Sequence, residues 1–166
     1  VHRTGRSVSS NGVGDHSRDS TGRSHVVFRR ATLDDAIEIV PLLRRRDILN
    51  LSHSGDPVSV ITEALMRSVN PIVGTVNNQI VVMWGTSHVQ LLDNRVYIWM
   101  LGTVLVDKHR MLFLRYSRDV IWMLRERYST IYGEIEIDYY HSIKWLVWLG
   151  AKIFPNGERL VFVIGG

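Results

Sequence analysis

The 166 residues suit one domain large enough to bury a core, and the absence of cysteine excludes disulfides, a thiol nucleophile and a cysteine-based zinc site. The formal net charge is +4, and half of that excess lies before residue 26, where Arg3, Arg6, Arg18 and Arg23 face only Asp15 and Asp19. So small a basic balance in the remainder is a poor footprint for nucleic acid, and the longest apolar run, Val96–Val106, is broken by Gly102 and Thr103 and falls short of the roughly 20 residues of a bilayer span, so no membrane contact is expected.

Residues 1–25 carry only Val1, Val8 and Val13 as apolar side chains among Ser, Gly, Arg and His. Such a leader cannot bury enough surface to offset its ordering entropy and is expected to be disordered; it lacks the apolar stretch of a signal peptide. The chain begins with valine and its first methionine is Met66, so the leader is as readily foreign to the native protein as part of it. The domain is expected over 26–166.

Val26–Arg30 is short and β-branched, a first strand. Thr32 with Asp35 three residues on resembles a capping box, and Ala36, Ile39, Val40 and Leu43 share one helical face, kinked at Pro41. Asp56-Pro57 starts a second helix with Ile61, Ala64, Leu65 and Ser68 in one stripe. Three strands follow, Ile72–Val76, Gln79–Val89 and Arg95–Val106, joined through Asn77-Asn78 and Leu92-Asp93-Asn94, whose turn chemistry favours antiparallel hairpins. Phe113, Tyr116, Val120 and Leu124 recur at helical spacing up to Tyr128. Ile131–Ile137 alternates, with Gly133, Ile135 and Ile137 on one face and Glu134, Glu136 and Asp138 on the other. His141–Leu149 is a helix closed by Gly150, and the strands Lys152–Phe154 and Arg159–Ile164 flank the turn Pro155-Asn156-Gly157.

The order β-α-α-β-β-β-α-β-α-β-β is that of the GNAT acyltransferase fold. Two segments sharpen the likeness: Ile98-Trp99-Met100-Leu101-Gly102-Thr103 with Phe113-Leu114-Arg115-Tyr116-Ser117-Arg118, and Ile137-Asp138-Tyr139-Tyr140-His141-Ser142-Ile143-Lys144-Trp145-Leu146 ending in Leu149-Gly150-Ala151. Over about residues 26–166 the chain resembles the GNAT-like internal virion protein A family of T7-type phages, which usually carries Asn where His141 stands. The resemblance implies an α+β fold, a mostly antiparallel twisted sheet of about seven strands flanked by four helices. It also implies acetyl-CoA as cofactor and an amine as acceptor, or, without catalysis, phage structural proteins as partners in virion assembly or ejection. The setting it implies is the host bacterial cytoplasm or the virion.

GNAT enzymes hold the cofactor's pyrophosphate on a glycine-rich turn that opens a helix, where backbone N–H groups and the helix dipole meet the phosphates. The corresponding stretch here, Val106 to Arg115, has no glycine. Lys108, His109 and Arg110 are candidate anion ligands in its place, with Leu105 and Val106 before them and His141 at the last helix; an ordinary basic helix start is the competing reading. Cations at a helix N-terminus are unfavourable unless an anion is bound there, which favours the anion site. The tyrosine that many such enzymes use as an acid, four residues before the helix-ending glycine, is Leu146 here. Glu134 and Glu136 are candidate bases, or a charged strand face. His53, His88, His109 and His141 show no metal spacing, no serine sits in a G-x-S-x-G context, and Trp99, Trp122, Trp145 and Trp148 read as core rather than as base-stacking platforms.

Overall fold

A computed structural model describes residues 26–88 and 94–166. The leader 1–25, Val89 and the Leu92-Asp93 part of the expected turn lie outside the described residues. Seven strands form one sheet in the order β1-β2-β3-β4-β5-β7-β6: β1 Val27–Arg30, β2 Val69–Val76, β3 Gln79–Ser87, β4 Arg95–Gly102, β5 Thr130–Glu136, β6 Lys152–Asn156 and β7 Arg159–Gly165. Every neighbouring pair is antiparallel except β4 and β5, which run parallel. The α+β architecture is the expected one.

Among the described residues there are six α-helices where the periodicity predicts four: α1 Leu33–Ile39, α2 Arg45–Ser52, α3 Pro57–Arg67, α4 Leu105–Lys108, α5 Arg110–Arg125 and α6 Tyr140–Trp148. The first expected helix does not bend at Pro41. It stops at Ile39, and Val40–Leu42 forms a 3-10 turn, because proline brings no N–H to the helical ladder. Helix α2 escapes sequence reading because its apolar residues, Ile48 and Leu51 on the core side, are sparse among Arg45, Arg46, Asp47 and Asn50. The strand expected to run to Val106 ends at Gly102, and the chain turns into α4.

Local chemistry explains the boundaries that were legible. The Asp56 carboxylate accepts from the Ser59 N–H at 3.0 Å and so caps α3, with Pro57 in its first turn. The buried Asp35 carboxylate accepts from the Thr32 N–H at 2.7 Å, fixing the start of α1. Asn77 and Asn78 both take positive φ, 49° and 61°, as a two-residue hairpin requires.

One face of the sheet carries α1, α2 and α3 over a core of Ala36, Ile39, Ile61, Leu65, Val73 and Met83. The other carries α5 and α6 over Trp84, Val96, Leu124, Ile131, Leu146 and Phe162. The parallel pair β4–β5 therefore lies in the middle of the sheet with helices on both sides.

Candidate functional site

The β4–β5 ladder is short. It joins Arg95 to Thr130, Val96 to Ile131 and Tyr97 to Tyr132, and beyond Tyr97 the residues of β4 have no ladder partner on β5. At the point of divergence a β carbon on Gly133 would stand 2.5 Å from the Ile98 carbonyl oxygen and 2.6 Å from Phe162 Cζ, so only glycine fits. The ladder between the two strands thus ends at Tyr97–Tyr132, and past it the edge of β4 toward β5 has no ladder partner.

The exit from β4 is anchored firmly. Thr103 is fully buried; its hydroxyl donates to the Ile80 carbonyl at 2.9 Å, and its N–H donates to Val81 at 2.9 Å. The Val104 N–H donates to Leu42 at 3.0 Å, and Arg44 pairs with Asp107 at 3.0 Å, tying this turn to the segment between α1 and α2. Leu105 and Val106, expected at a strand end, are helical instead. Their N–H groups are taken by the Thr103 hydroxyl at 3.3 Å and the Thr103 carbonyl at 3.1 Å, so neither N–H is free to hold a cofactor.

Lys108 ends α4 exposed, His109 links the helices half-buried, and Arg110 begins α5 exposed. The three expected anion ligands therefore stand in succession at the start of a 16-residue helix, past the C-terminal end of β4. The first N–H groups of such a helix have no intrahelical acceptor. His109 also lines an apolar cavity of about 60 Å³ between α5 and the sheet, with Phe28, Trp84, Ile98, Phe113 and Trp145. Helices α5 and α6 meet where the Phe113 and Trp145 rings lie 5.2 Å apart and Trp145 Nε1 donates to Ser117 Oγ at 3.1 Å.

On the face of β5 opposite buried Ile131 and Ile135, Glu134 and Glu136 share one partner that sequence reasoning missed. Arg159 Nη1 lies 2.9 Å from Glu134 Oε2 and Arg159 Nε lies 3.1 Å from Glu136 Oε1. Arg159 is the register partner of Glu136 on β7, and nothing local in the sequence announces that pairing. The Tyr97 and Tyr132 rings pack edge to face at 5.6 Å. Burial, and then the charge of Glu134, push the Tyr97 hydroxyl above its ordinary pKa against the opposing effect of Arg159.

A second missed group joins α2 to the start of α6. The Tyr139 hydroxyl donates to Asp47 Oδ1 at 2.5 Å and accepts from Asn50 Nδ2 at 3.0 Å. Arg46 stacks 4.3 Å above the Tyr139 ring and pairs with Asp138. Burial, followed by the bond to Asp47 and its charge, raises the phenol's pKa strongly, so it stays protonated. Asp47 and Asn50 lie on the helix that the periodicity does not show.

The remaining candidates fall apart from this constellation. Tyr139, not His141, occupies the N-cap of α6, and His141 is exposed within its first turn. Leu146 is buried in the core, so the position four residues before Gly150 offers no proton donor. The tryptophans divide: Trp99 donates to Ser68 Oγ at 2.7 Å and Trp145 to Ser117, both part-buried, whereas Trp122 is 74% and Trp148 53% exposed, not core as expected.

No protein-family model matches the chain, and no curated protein matches it in sequence. Solved structures do. The protein yncA of Salmonella typhimurium, solved with its cofactor acetyl-CoA, is 12% identical at a TM-score of 0.60, covering 84% of this chain and 93% of its own. The acetyltransferase of the GNAT family from Streptococcus pneumoniae is 11% identical at 0.59, covering 84% and 99%. The aminoglycoside acetyltransferase AAC(6')-Ib in complex with coenzyme A is 13% identical at 0.62, covering 85% and 95%. The likeness at this identity is one of fold: the chain is built on the fold of the GNAT acetyltransferases.

Proposed function

We propose that this protein binds acetyl-CoA in the cleft between β4 and β5 and transfers its acetyl group to an amine. The observation that carries the reading is the early end of the β4–β5 ladder at Tyr97–Tyr132, with Lys108, His109 and Arg110 in succession past the end of β4. The unpaired edge of β4 offers main-chain donors and acceptors to the amide groups of a pantetheine arm. Lys108, Arg110 and the first N–H groups of α5 suit the phosphates, by charge in place of the close backbone approach that glycines permit. When bound, acetyl-CoA supplies an acyl group activated as a thioester.

Glu134 and Glu136 are the carboxylates able to take the proton of an amine entering from the opposite face. Arg159 holds both and fixes where they sit. Structures that share the fold and contain acetyl-CoA or coenzyme A support the cofactor.

A second reading, a GNAT-fold protein without catalysis that serves phage particle assembly or ejection, rests on two observations. Leu146 is buried and gives no proton, and the Tyr139 hydroxyl already donates to Asp47.

Thermal unfolding with and without acetyl-CoA tests the binding. A ligand at a hundredfold its dissociation constant stabilises by about 2.7 kcal/mol, a rise of several degrees for a chain of this size. No rise at millimolar acetyl-CoA would sink the proposal. Release of free thiol in the presence of a small polyamine separates the readings, since the scaffold binds or ignores the cofactor without turnover.

A further inference from the structure

Protein interiors hold few voids larger than a water molecule, yet the apolar cavity between α5 and the sheet measures about 60 Å³. Its wall includes Val82, Trp84, Ile98, Phe113, Val120 and Trp145. Of the polar side chains in that wall, His109 stands at the start of α5, and Tyr116 packs its ring edge to face on Phe28 at 5.0 Å. The third, Ser117, is already engaged: its Oγ donates to the Leu114 carbonyl at 2.9 Å and accepts from Trp145 Nε1 at 3.1 Å. The cavity therefore offers mainly hydrocarbon and aromatic surface, which suits an apolar occupant and replaces little of what a polar one would lose to water.

Two residues set this cavity beside the proposed acetyl-CoA site. His109 is in its wall and also in the turn assigned to the phosphates. Ile98 is in its wall too, and the Ile98 carbonyl oxygen is the atom that meets Gly133 where the β4–β5 ladder has just ended. From Gly102 back to Ile98 the edge of β4 has no ladder partner on β5, a stretch of about 13 Å at 3.3 Å per residue. A pantetheine arm that leaves phosphates at Lys108 and Arg110 and follows this edge brings its thioester toward Ile98. Ile98 packs with the α5–α6 core, whereas Glu134 and Glu136 lie on the other face of the sheet. An acyl tail on the cavity side thus leaves the carboxylate side to the amine.

We infer that the acyl donor is a short-chain acyl-CoA longer than acetyl, propionyl or butyryl, with its tail in this cavity. The inference rests on the coenzyme A site proposed above and adds the chain length that the site selects. An apolar cavity of about 150 Å³ takes the six carbons of benzene, so about 60 Å³ takes two or three carbons beyond the carbonyl. The reaction is that of the acetyl ester: the C–S bond breaks, a C–N bond forms, and the proton lost by the amine is balanced by the one the thiolate takes up.

Calorimetric titration of the full chain with acetyl-, butyryl- and octanoyl-CoA tests this. Butyryl-CoA is expected to bind about tenfold more tightly than acetyl-CoA, for two further methylenes removed from water. Octanoyl-CoA is expected to bind no more tightly than butyryl-CoA, because its extra carbons have no room. Val120→Phe puts a ring into the cavity and should bring butyryl- and acetyl-CoA to equal affinity. Phe113→Leu widens the same space and should shift the preference toward hexanoyl-CoA; circular dichroism checks that both variants are folded. Acetyl-CoA that binds while butyryl-CoA binds no tighter overturns the inference and leaves the coenzyme A site standing. If no ester binds, both fall together. Affinity that keeps rising to octanoyl-CoA, or a preference that neither variant moves, also overturns it, since the tail then lies outside the cavity.

Discussion

Gly133 of β5 lies against the main-chain oxygen of Ile98 on β4, so close that a β carbon would stand 2.5 Å from that oxygen. The obstacle is backbone and cannot rotate away, and Phe162 Cζ at 2.6 Å closes the same space. Gly133→Ala must push the strands apart where the cleft opens, at a cost of about 1–3 kcal/mol. Chemical denaturation measures this, and stability equal to the wild type would show that the strands have slack at that point.

The Asp35 carboxylate is buried, which raises its pKa, yet two bonds from Arg29 at 2.6 and 2.7 Å and those from Thr32 more than reverse the effect, leaving it below its ordinary value. A carboxyl with a lowered folded pKa contributes stability above its unfolded value, about 4, and loses it as the pH falls through the folded value. Unfolding free energy should therefore drop on the acid side of pH 4. Asp35→Asn should flatten that limb while costing about 1–3 kcal/mol near neutrality, since the ion pair and part of the α1 cap go together. An unchanged acid limb in the variant would assign the acid sensitivity elsewhere.

Tyr139 predicts the opposite limb. Its folded pKa is raised, chiefly by burial and then by Asp47, so its contribution is complete below the unfolded value of about 10 and is lost as the pH rises beyond it. Stability should fall in alkali for this reason, less so in Tyr139→Phe. The same variant leaves Asp47 and Asn50 without the hydroxyl between them, at a cost of about 1–2 kcal/mol, and should increase amide exchange in α2.

Lys108 and Arg110 are exposed and serve no packing role, so Lys108→Ala with Arg110→Ala should leave the unfolding temperature of the free protein nearly unchanged. The affinity for acetyl-CoA should fall about tenfold, since charged groups make the stronger hydrogen bonds to phosphate. Its salt dependence should shrink as well. Calorimetric titration of both proteins is the measurement, and equal affinities would leave the cations at α5 as an ordinary solvated helix start.

What the sequence made legible follows from where the determining interactions lie. Asp56-Pro57, Thr32 with Asp35, and Asn77-Asn78 act on neighbours within a few residues, so the starts of α1 and α3 and the β2–β3 hairpin were readable. So was the alternation in β5 that puts Glu134 and Glu136 on one face. Arg159 meets those glutamates from β7, and Asp47 meets Tyr139 from α2; both bonds cross long sequence separations that periodicity does not report. The strand end at Gly102 was hidden for the same reason. The apolar run resumes after Gly102 and Thr103 and reads on to Val106, and only the bonds of Thr103 to Ile80 and Val81 show that the chain turns away there. Trp122 misled because one aromatic in a helix carries no sign of its face until the buried stripe of Phe113, Val120 and Leu124 is fixed.

The shared guanidinium of Arg159 gives the catalytic proposal its most direct test. Two carboxylates on one strand face repel one another, and Arg159 between them holds both side chains toward the same point. If either accepts the amine proton, the single variants Glu134→Gln and Glu136→Gln should lose activity unequally, because only one oxygen pair can face the acceptor. The double variant should lose about a hundredfold or more, the usual share of general base catalysis. Acetyl-CoA should still raise its unfolding temperature, as the proposed phosphate ligands Lys108 and Arg110 are unchanged in it. Arg159→Met should lie between, since it frees both carboxylates without removing them. These pairs are partly exposed, so its effect on stability should stay within about 1 kcal/mol. A double variant that turns over as fast as the wild type would remove both glutamates from the reaction and leave them as a strand-pairing device between β5 and β7.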